Sequence, residues 1–125
     1  MRTRLEQGLT ALHLSPTPSA SLERYCHLLL EQNQVMNLTA ITDPDQVVDL
    51  HMLDSAALLT VADFRGKKVI DVGTGAGFPG LVLKVMEPSL DLTLLDSLAK
   101  RVNWLADISA QLGAAPVECI HGRAE

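Results

Sequence analysis

A glycine-rich loop after a short apolar run is the part of the chain whose residue types and spacing could do chemistry. The run from Val69 to Val72 contains an acidic residue, Asp71, and is followed by four glycines within eight residues: Gly73, Gly75, Gly77 and Gly80. Glycines are favoured where the backbone takes a positive φ or lies close to a ligand, because no Cβ intrudes. If a helix begins just after the loop, its free amide groups can bind polar ligand atoms. The spacing therefore predicts a site for a nucleotide-like cofactor.

The loop matches the dinucleotide-binding fingerprint, in which three glycines are spaced G-x-G-x-x-G. Gly75, Gly77 and Gly80 have that spacing. Asp96 follows the next apolar run, where an acid can accept hydrogen bonds from ribose hydroxyls. An oxidoreductase that binds NAD(P) is therefore one interpretation. A glycine turn with a structural role, or a cofactor-binding module without catalytic activity, is another.

The acid in front of the glycines favours a different cofactor. Asp71 stands two residues before Gly73, where its negative charge would repel a pyrophosphate. It suits S-adenosylmethionine, which carries an ammonium and a sulfonium group and no phosphate. An acid, three alternating glycines and a second acid after the next strand form the common signature of class I methyltransferases. We favour this interpretation over the other two.

The composition argues against several other classes of protein. The 125 residues carry a formal net charge of −5, so charge alone gives no basic nucleic-acid footprint. Cys26 and Cys119 lie far apart and form neither a zinc pattern nor a disulfide framework. No apolar run has the length of a membrane span, and the first residues lack a signal sequence. We expect a cytoplasmic protein with no metal and no membrane partner.

The hydrophobic periodicity predicts an N-terminal helical region (1–66) followed by a sheet region (67–125). In the first region we expect a helix at 3–14 and a second at 19–34, with an N-cap near Ser19. After a loop at 37–42, a third helix is expected from an N-cap at Asp43 to about Ala62, with a break near His51. The second region alternates strand 68–72, helix 79–87, strand 91–95, helix 98–112 and strand 116–120, and Gly113 is expected to cap the second of these helices. This order predicts an α/β fold, the first half of a Rossmann-like doubly wound parallel sheet.

The predicted sheet is half of a complete doubly wound sheet, in which the ligand lies where the strand order reverses. We therefore expect a chain that is truncated after the third strand and has little or no activity by itself. An exposed sheet edge should also favour self-association.

Several segments of the chain, in the same order, are similar to those of one known family. They are Asn37–Ile41, His51–Ser55, Asp71–Gly80, Leu95–Arg101 and His121–Glu125. The chain thereby resembles the glucose-inhibited division protein B family, bacterial methyltransferases that act on guanine N7 in small-subunit ribosomal RNA. The resemblance implies a class I methyltransferase fold, S-adenosylmethionine as cofactor, and small-subunit ribosomal RNA or the ribosomal subunit as partner. Because guanine N7 carries a lone pair and no proton, the implied reaction requires no general base.

The resemblance also implies roles for matched positions at the cofactor. Asp71 would approach the methionine end and Asp96 the ribose, while Ala124 and Glu125 would lie beside the adenine. The loop itself would contribute further contacts: Gly73, Gly75, Gly77 and Phe78. Gly80 is expected instead to permit close packing of helix and strand.

Other positions are candidates for contact with the RNA. Three residues of the N-terminal region could face the acceptor base: Asn37, His51 and Asp54. Each also has a structural interpretation, as a turn residue or in a local hydrogen bond. Three cations of the second region could contact RNA phosphates: Lys100, Arg101 and Arg123. A solvated helix face is the alternative interpretation for these cations.

Overall fold

The computed structural model describes residues 1–123, which form two compact units. The first unit comprises Met1–Asp63, and the second begins at Phe64. The first is helical, and the second contains a parallel sheet. Within residues 1–123 no helix is both long enough and apolar enough to cross a lipid bilayer.

The first unit consists of two helices and a long helical run. The helices are α1 (Arg2–Ala11) and α2 (Ser19–Asn33), and the run comprises α3 (Pro44–Gln46), a π-helix (Val47–Leu53), α4 (Asp54–Ala56) and a 3₁₀ turn (Ala57–Thr60). Instead of the expected break near His51, the run widens there into π-helical geometry. Apolar side chains from all three parts form a fully buried core: Leu5, Leu9, Leu22, Tyr25, Leu29, Val47 and Met52.

The ends of these helices follow from local sequence. α1 ends before the expected position because His13 takes a φ of 61° and Leu14 N–H donates to Leu9 O (2.9 Å), which closes the helix in a Schellman motif. Ser19 is the first residue of α2 and not its N-cap. Asp43 caps α3 as predicted, since its carboxylate accepts a hydrogen bond from Gln46 N–H (3.1 Å).

The second unit is a three-stranded parallel sheet with two helices. Its strands lie in the order β1 (Lys68–Val72), β2 (Asp91–Asp96) and β3 (Glu118–His121), and they are connected by α5 (Gly80–Met86) and α6 (Ala99–Gln111). At the carboxyl end of the sheet, Val72 pairs with Leu95, and Leu95 pairs with Ile120. The predicted fold class is confirmed. Because all three strands are parallel, the residues that follow them meet at one end of the sheet.

The boundaries of the second unit differ from prediction where proline intervenes. β3 begins at Glu118, two residues later than expected, because Pro116 has no N–H for the sheet ladder. α5 begins at Gly80, with Pro79 as its N-cap. Gly113 follows the end of α6 with a φ of 67°, as its predicted capping role requires.

The two faces of the sheet differ in burial. Leu92 and Leu94 of β2 are buried on the face that packs against α5 and α6. On the opposite face Ile70 is 58% exposed and Val72 is 53% exposed, and Ile120 of β3 is also partly open to solvent. Within the described residues the sheet therefore has one packed face and one open apolar face.

Candidate cofactor site

An open cleft lies at the carboxyl end of the sheet. Its volume is about 310 Å³, and it is lined by residues that end or follow the three strands: Val72, Gly73, Leu95, Asp96, Ser97, Gly122 and Arg123. Gly122 N–H donates to Asp96 O (3.0 Å), which holds the chain after β3 against the end of β2. Three segments that are distant in sequence therefore form one site, where a parallel α/β sheet is expected to bind its ligand.

The glycine loop requires glycine for its backbone conformation. Gly73, Gly75 and Gly77 take φ values of 68°, 60° and 100°, which residues with a Cβ rarely adopt. A Cβ placed on Gly73 or Gly75 would meet no atom within 4 Å, so open space lies beside both residues. The N–H groups of Gly73 and Thr74 donate to Leu95 O (2.8 and 3.1 Å) and fix the loop to β2. The loop is thus held from one side and open on the other.

Asp71 braces the loop from within the protein. Its Oδ2 accepts hydrogen bonds from Thr74 Oγ1 (2.8 Å) and Gly80 N–H (2.9 Å). Burial raises the pKa of Asp71 above its ordinary value, and the two donors oppose this shift. A Cβ on Gly80 would lie 2.8 Å from the same oxygen, so glycine permits α5 to pack closely on β1, as predicted.

Asp96 joins the glycine loop to the start of α6. It is 3% exposed, and its Oδ1 accepts a hydrogen bond from Gly75 N–H (3.1 Å). Its Oδ2 accepts from Leu98 N–H (3.0 Å) and from Arg101 Nη1 (3.4 Å). A carboxylate offers about four lone-pair sites. Counted over residues 1–123, the three donors leave about one site, at Oδ1, for a hydroxyl of a bound ligand.

The three predicted RNA-binding cations have different surroundings. Lys100 is exposed on α6, and Arg123 is exposed where it lines the cleft. Arg101 instead forms an ion pair with Asp96, with 3.4 Å between Nη1 and Oδ2. The structure therefore associates Arg101 with the cleft's acid and leaves Lys100 and Arg123 facing solvent.

The predicted substrate-side residues lie in the first unit. His51 is half-buried in the π-helix, and its Nε2 lies 2.8 Å from Thr39 Oγ1. Burial lowers the pKa of His51, and the nearby charge of Asp54 opposes that effect. Asn37 and Asp54 are exposed. The contact with Thr39 ties His51 to the segment that carries Asn37.

Comparison with known proteins identifies the family. Residues 19–125 match the family model GidB, described as rRNA small subunit methyltransferase G. The chain belongs to this family. The resemblance that the sequence motifs indicate is confirmed.

Curated relatives named ribosomal RNA small subunit methyltransferase G are similar to nearly the whole chain. The protein of Moorella thermoacetica is 46% identical over 117 residues, which cover 93% of this chain and 49% of the relative. That of Alkaliphilus metalliredigens is 48% identical over 114 residues, with coverages of 90% and 48%. That of Symbiobacterium thermophilum is 46% identical over 132 residues, with coverages of 99% and 54%. The chain spans about half the length of these relatives.

The family match includes the glycine loop and the three strands of the sheet. Ala124 and Glu125, which are predicted to lie beside the adenine, fall outside the described residues. Among residues 1–123 no group of three or more histidine, cysteine, aspartate or glutamate side chains could hold a metal ion.

Two polar residues of this site were not predicted from the sequence. Thr74 is buried and donates to Asp71, and the available signal was its position three residues after the acid, a separation that a turn brings close together. His121 pairs with Asp96 in the sheet, and its Nε2 lies 3.1 Å from Ser97 O. That contact depends on the strand register, which the sequence alone does not give.

Proposed function

We propose that this protein acts in the transfer of a methyl group from S-adenosylmethionine to N7 of a guanine in small-subunit ribosomal RNA. Family membership indicates the reaction class. The observation that carries the proposal is the cleft in which the glycine loop, Asp96 and the segment after β3 come together. A cytoplasmic location, where ribosomes are found, follows from the proposal. We expect little or no turnover from these 125 residues alone.

The residues of the cleft fit the proposed cofactor. Val72 and Leu95 offer apolar contact for an adenosyl group, and Oδ1 of Asp96 has capacity for a ribose hydroxyl. Gly73 and Gly75 let a ligand approach the backbone without meeting a Cβ. The volume of about 310 Å³ is at the lower end of small-ligand sites, which span about 300–1,000 Å³.

Other residues would complete the cofactor site in this proposal. On the loop side these are Asp71, Gly77 and Phe78, with Asp71 acting at the methionine end. Beside the adenine they are Ala124 and Glu125. Asp71 supports the loop in the structure through Thr74 and Gly80, so its first contribution would be to hold the site's shape.

The chemistry requires positioning more than proton transfer. When bound, S-adenosylmethionine supplies an electrophilic methyl group on its sulfonium. Guanine N7 has a lone pair in the plane of the ring and no proton, so no side chain needs to act as a general base. The glycine loop and Asp96 would orient the donor, and close packing would exclude water. The positive charge passes from the sulfonium to the guanine as the methyl group is transferred, and carboxylates at the site would stabilise it.

Residues beyond the cleft would recognise the RNA. Lys100 and Arg123 are exposed cations suited to phosphate contact. Asn37, His51 and Asp54 are proposed to face the acceptor base. The net charge of −5 does not oppose this assignment, since phosphate contact needs local positive charge only.

Titration calorimetry with adenosylhomocysteine and with NAD⁺ tests the proposal. Wild type should bind adenosylhomocysteine and not NAD⁺. Asp96→Ala should weaken binding at least about tenfold, because it removes a hydrogen-bonded carboxylate. Asp91→Ala, at the other end of β2, is the matched control and should bind like wild type. NAD⁺ binding without adenosylhomocysteine binding would favour the oxidoreductase interpretation.

Methyl incorporation into small-subunit ribosomal RNA tests the reaction itself. A protein extended to the length of the relatives should transfer labelled methyl groups to the RNA, and these 125 residues alone should not. Robust turnover by the 125-residue chain would contradict the expectation of low activity.

A further inference from the structure

We propose that Arg101 is a positioning residue of the cofactor site and not an RNA-binding cation. It would act through Asp96, whose carboxylate holds the glycine loop. This inference rests on the proposed function, because the ligand whose binding it affects is the one proposed above.

Arg101 contacts Asp96 at the start of α6. Arg101 lies in the first turn of α6, and its Nη1 is 3.4 Å from Asp96 Oδ2. The Asp96 side chain is 4% exposed, whereas that of Arg101 is 30% exposed. A carboxylate so shielded from water needs charged or hydrogen-bonding partners. Arg101 supplies the positive charge, and the N–H groups of Gly75 and Leu98 supply the other donors.

Asp96 in turn is linked to the glycine loop. Oδ1 of Asp96 accepts the hydrogen bond from Gly75, which has a φ of 60°. Asp96 lines the cleft, and Arg101 is not among the described residues that do so. Arg101 can therefore fix the direction of the carboxylate through Oδ2 without itself lining the cleft.

Arg101 and its neighbour Lys100 have different surroundings. Both are cations in the first turn of α6, but Lys100 is exposed while Arg101 is paired with an acid. An arginine whose charge is already compensated has less to offer a phosphate. Arg101 accordingly differs from Lys100 in the property that the RNA-binding prediction needs, which is a cation exposed to solvent.

Four proteins distinguish the two roles: wild type, Arg101→Ala, Arg101→Lys and Lys100→Ala. Calorimetry measures their affinity for adenosylhomocysteine, and filter binding measures their affinity for small-subunit ribosomal RNA. Arg101→Ala should weaken adenosylhomocysteine binding roughly tenfold, the scale of one lost charge-assisted hydrogen bond, with RNA affinity little changed. Arg101→Lys should recover part of the loss. Lys100→Ala should bind adenosylhomocysteine like wild type and bind RNA more weakly.

Amide hydrogen exchange at Gly75 provides a readout that needs no ligand. Arg101→Ala should lower the protection of the Gly75 N–H, while Lys100→Ala should leave it unchanged. Tryptophan fluorescence reports whether the second unit stays folded, because Trp104, in α6, is the one tryptophan of the chain. In a folded Arg101→Ala protein, wild-type affinity for adenosylhomocysteine or wild-type protection of Gly75 would overturn the inference. Failure of wild type to bind adenosylhomocysteine would instead count against the proposed function, and the exchange experiment would still test Arg101.

Discussion

Each of the two acids at the strand ends holds a different part of the glycine loop. Asp71 accepts from the Thr74 hydroxyl and the Gly80 amide, while Asp96 accepts from the Gly75 amide. Left-handed backbone is unfavourable for residues with a Cβ, so the loop needs glycine at these positions, and the bonds to the two acids anchor it. At the scale of residues, the acids therefore shape the site as well as carrying charge.

Substitutions at Gly73 test the backbone requirement. Gly73→Ala should lower the free energy of unfolding of the second unit by about 1 kcal/mol, because the positive φ disfavours a Cβ. Gly73→Asn should cost less, since asparagine tolerates this conformation better and the space beside Gly73 is open. Urea denaturation followed by Trp104 fluorescence measures both. An asparagine variant less stable than the alanine variant would contradict the account.

The titration of His51 tests its buried setting. NMR titration should give an imidazole pKa below the ordinary 6.5, because burial disfavours the charged form. Asp54→Asn should lower the pKa of His51 further, since the negative charge of Asp54 supports the imidazolium. Asp45→Asn, in the same unit, is the control. A pKa of His51 that rises in Asp54→Asn would be inconsistent with this structure.

The same pKa shift fixes the sign of a pH effect on stability. Just below pH 6.5 the unfolded chain binds a proton at His51 more readily than the folded chain does. The stability that neutral His51 contributes is therefore complete above about pH 6.5 and declines as the pH falls below that value.

At the scale of elements, local signals predicted the positions of most helices and strands. Asp43 and Gly113 mark helix ends because capping and left-handed closure depend on nearby residues alone. The π-helix at Val47–Leu53 could not be predicted, since a 3.6-residue periodicity does not show where an extra residue enters a turn. The early end of α1 was missed because it uses a left-handed histidine, His13, where glycine is usual.

The loop that precedes the long helical run depends on one asparagine side chain. Asn33 Oδ1 accepts from the N–H groups of Leu38 and Thr39 (2.7 and 2.9 Å), and its Nδ2 donates to Thr39 O (3.0 Å). Asn33→Ala should lower the exchange protection of both amides about tenfold, the scale of one lost hydrogen bond. Asn33→Asp keeps the acceptor and should retain more protection. Equal protection in the alanine variant and wild type would refute this anchoring role.

At the scale of the whole molecule, the resemblance to the family implied that residues at the ends of all three strands contact one cofactor. It did not predict that Arg101 pairs with Asp96, because that contact depends on how α6 is rotated against β2. The cleft likewise depends on the register that places Gly122 beside Asp96. The motifs therefore could not predict the contacts that residues of the site make between different helices and strands.

The open face of the sheet leads to a prediction about assembly. We propose that the chain self-associates through β1, an edge strand in the described sheet that carries the exposed Ile70 and Val72. Ile70→Lys should reduce association in sedimentation velocity at high protein concentration. Val35→Lys also replaces an exposed apolar side chain with lysine, at a position in the first unit that is 79% exposed, and it should leave association unchanged. Equal association of wild type and Ile70→Lys would contradict the proposal.

NMR mapping of adenosylhomocysteine on the isotope-labelled chain tests the central claim most directly. Saturable amide shifts should concentrate at the carboxyl end of the sheet, at Gly73, Gly75, Ser97 and Gly122, and NAD⁺ should not produce them. Residues at the amino ends of the strands, such as Lys68 and Asp91, should remain unchanged. Absence of saturable shifts, or shifts centred in the first unit, would contradict the assignment of the strand-end cleft as the cofactor site.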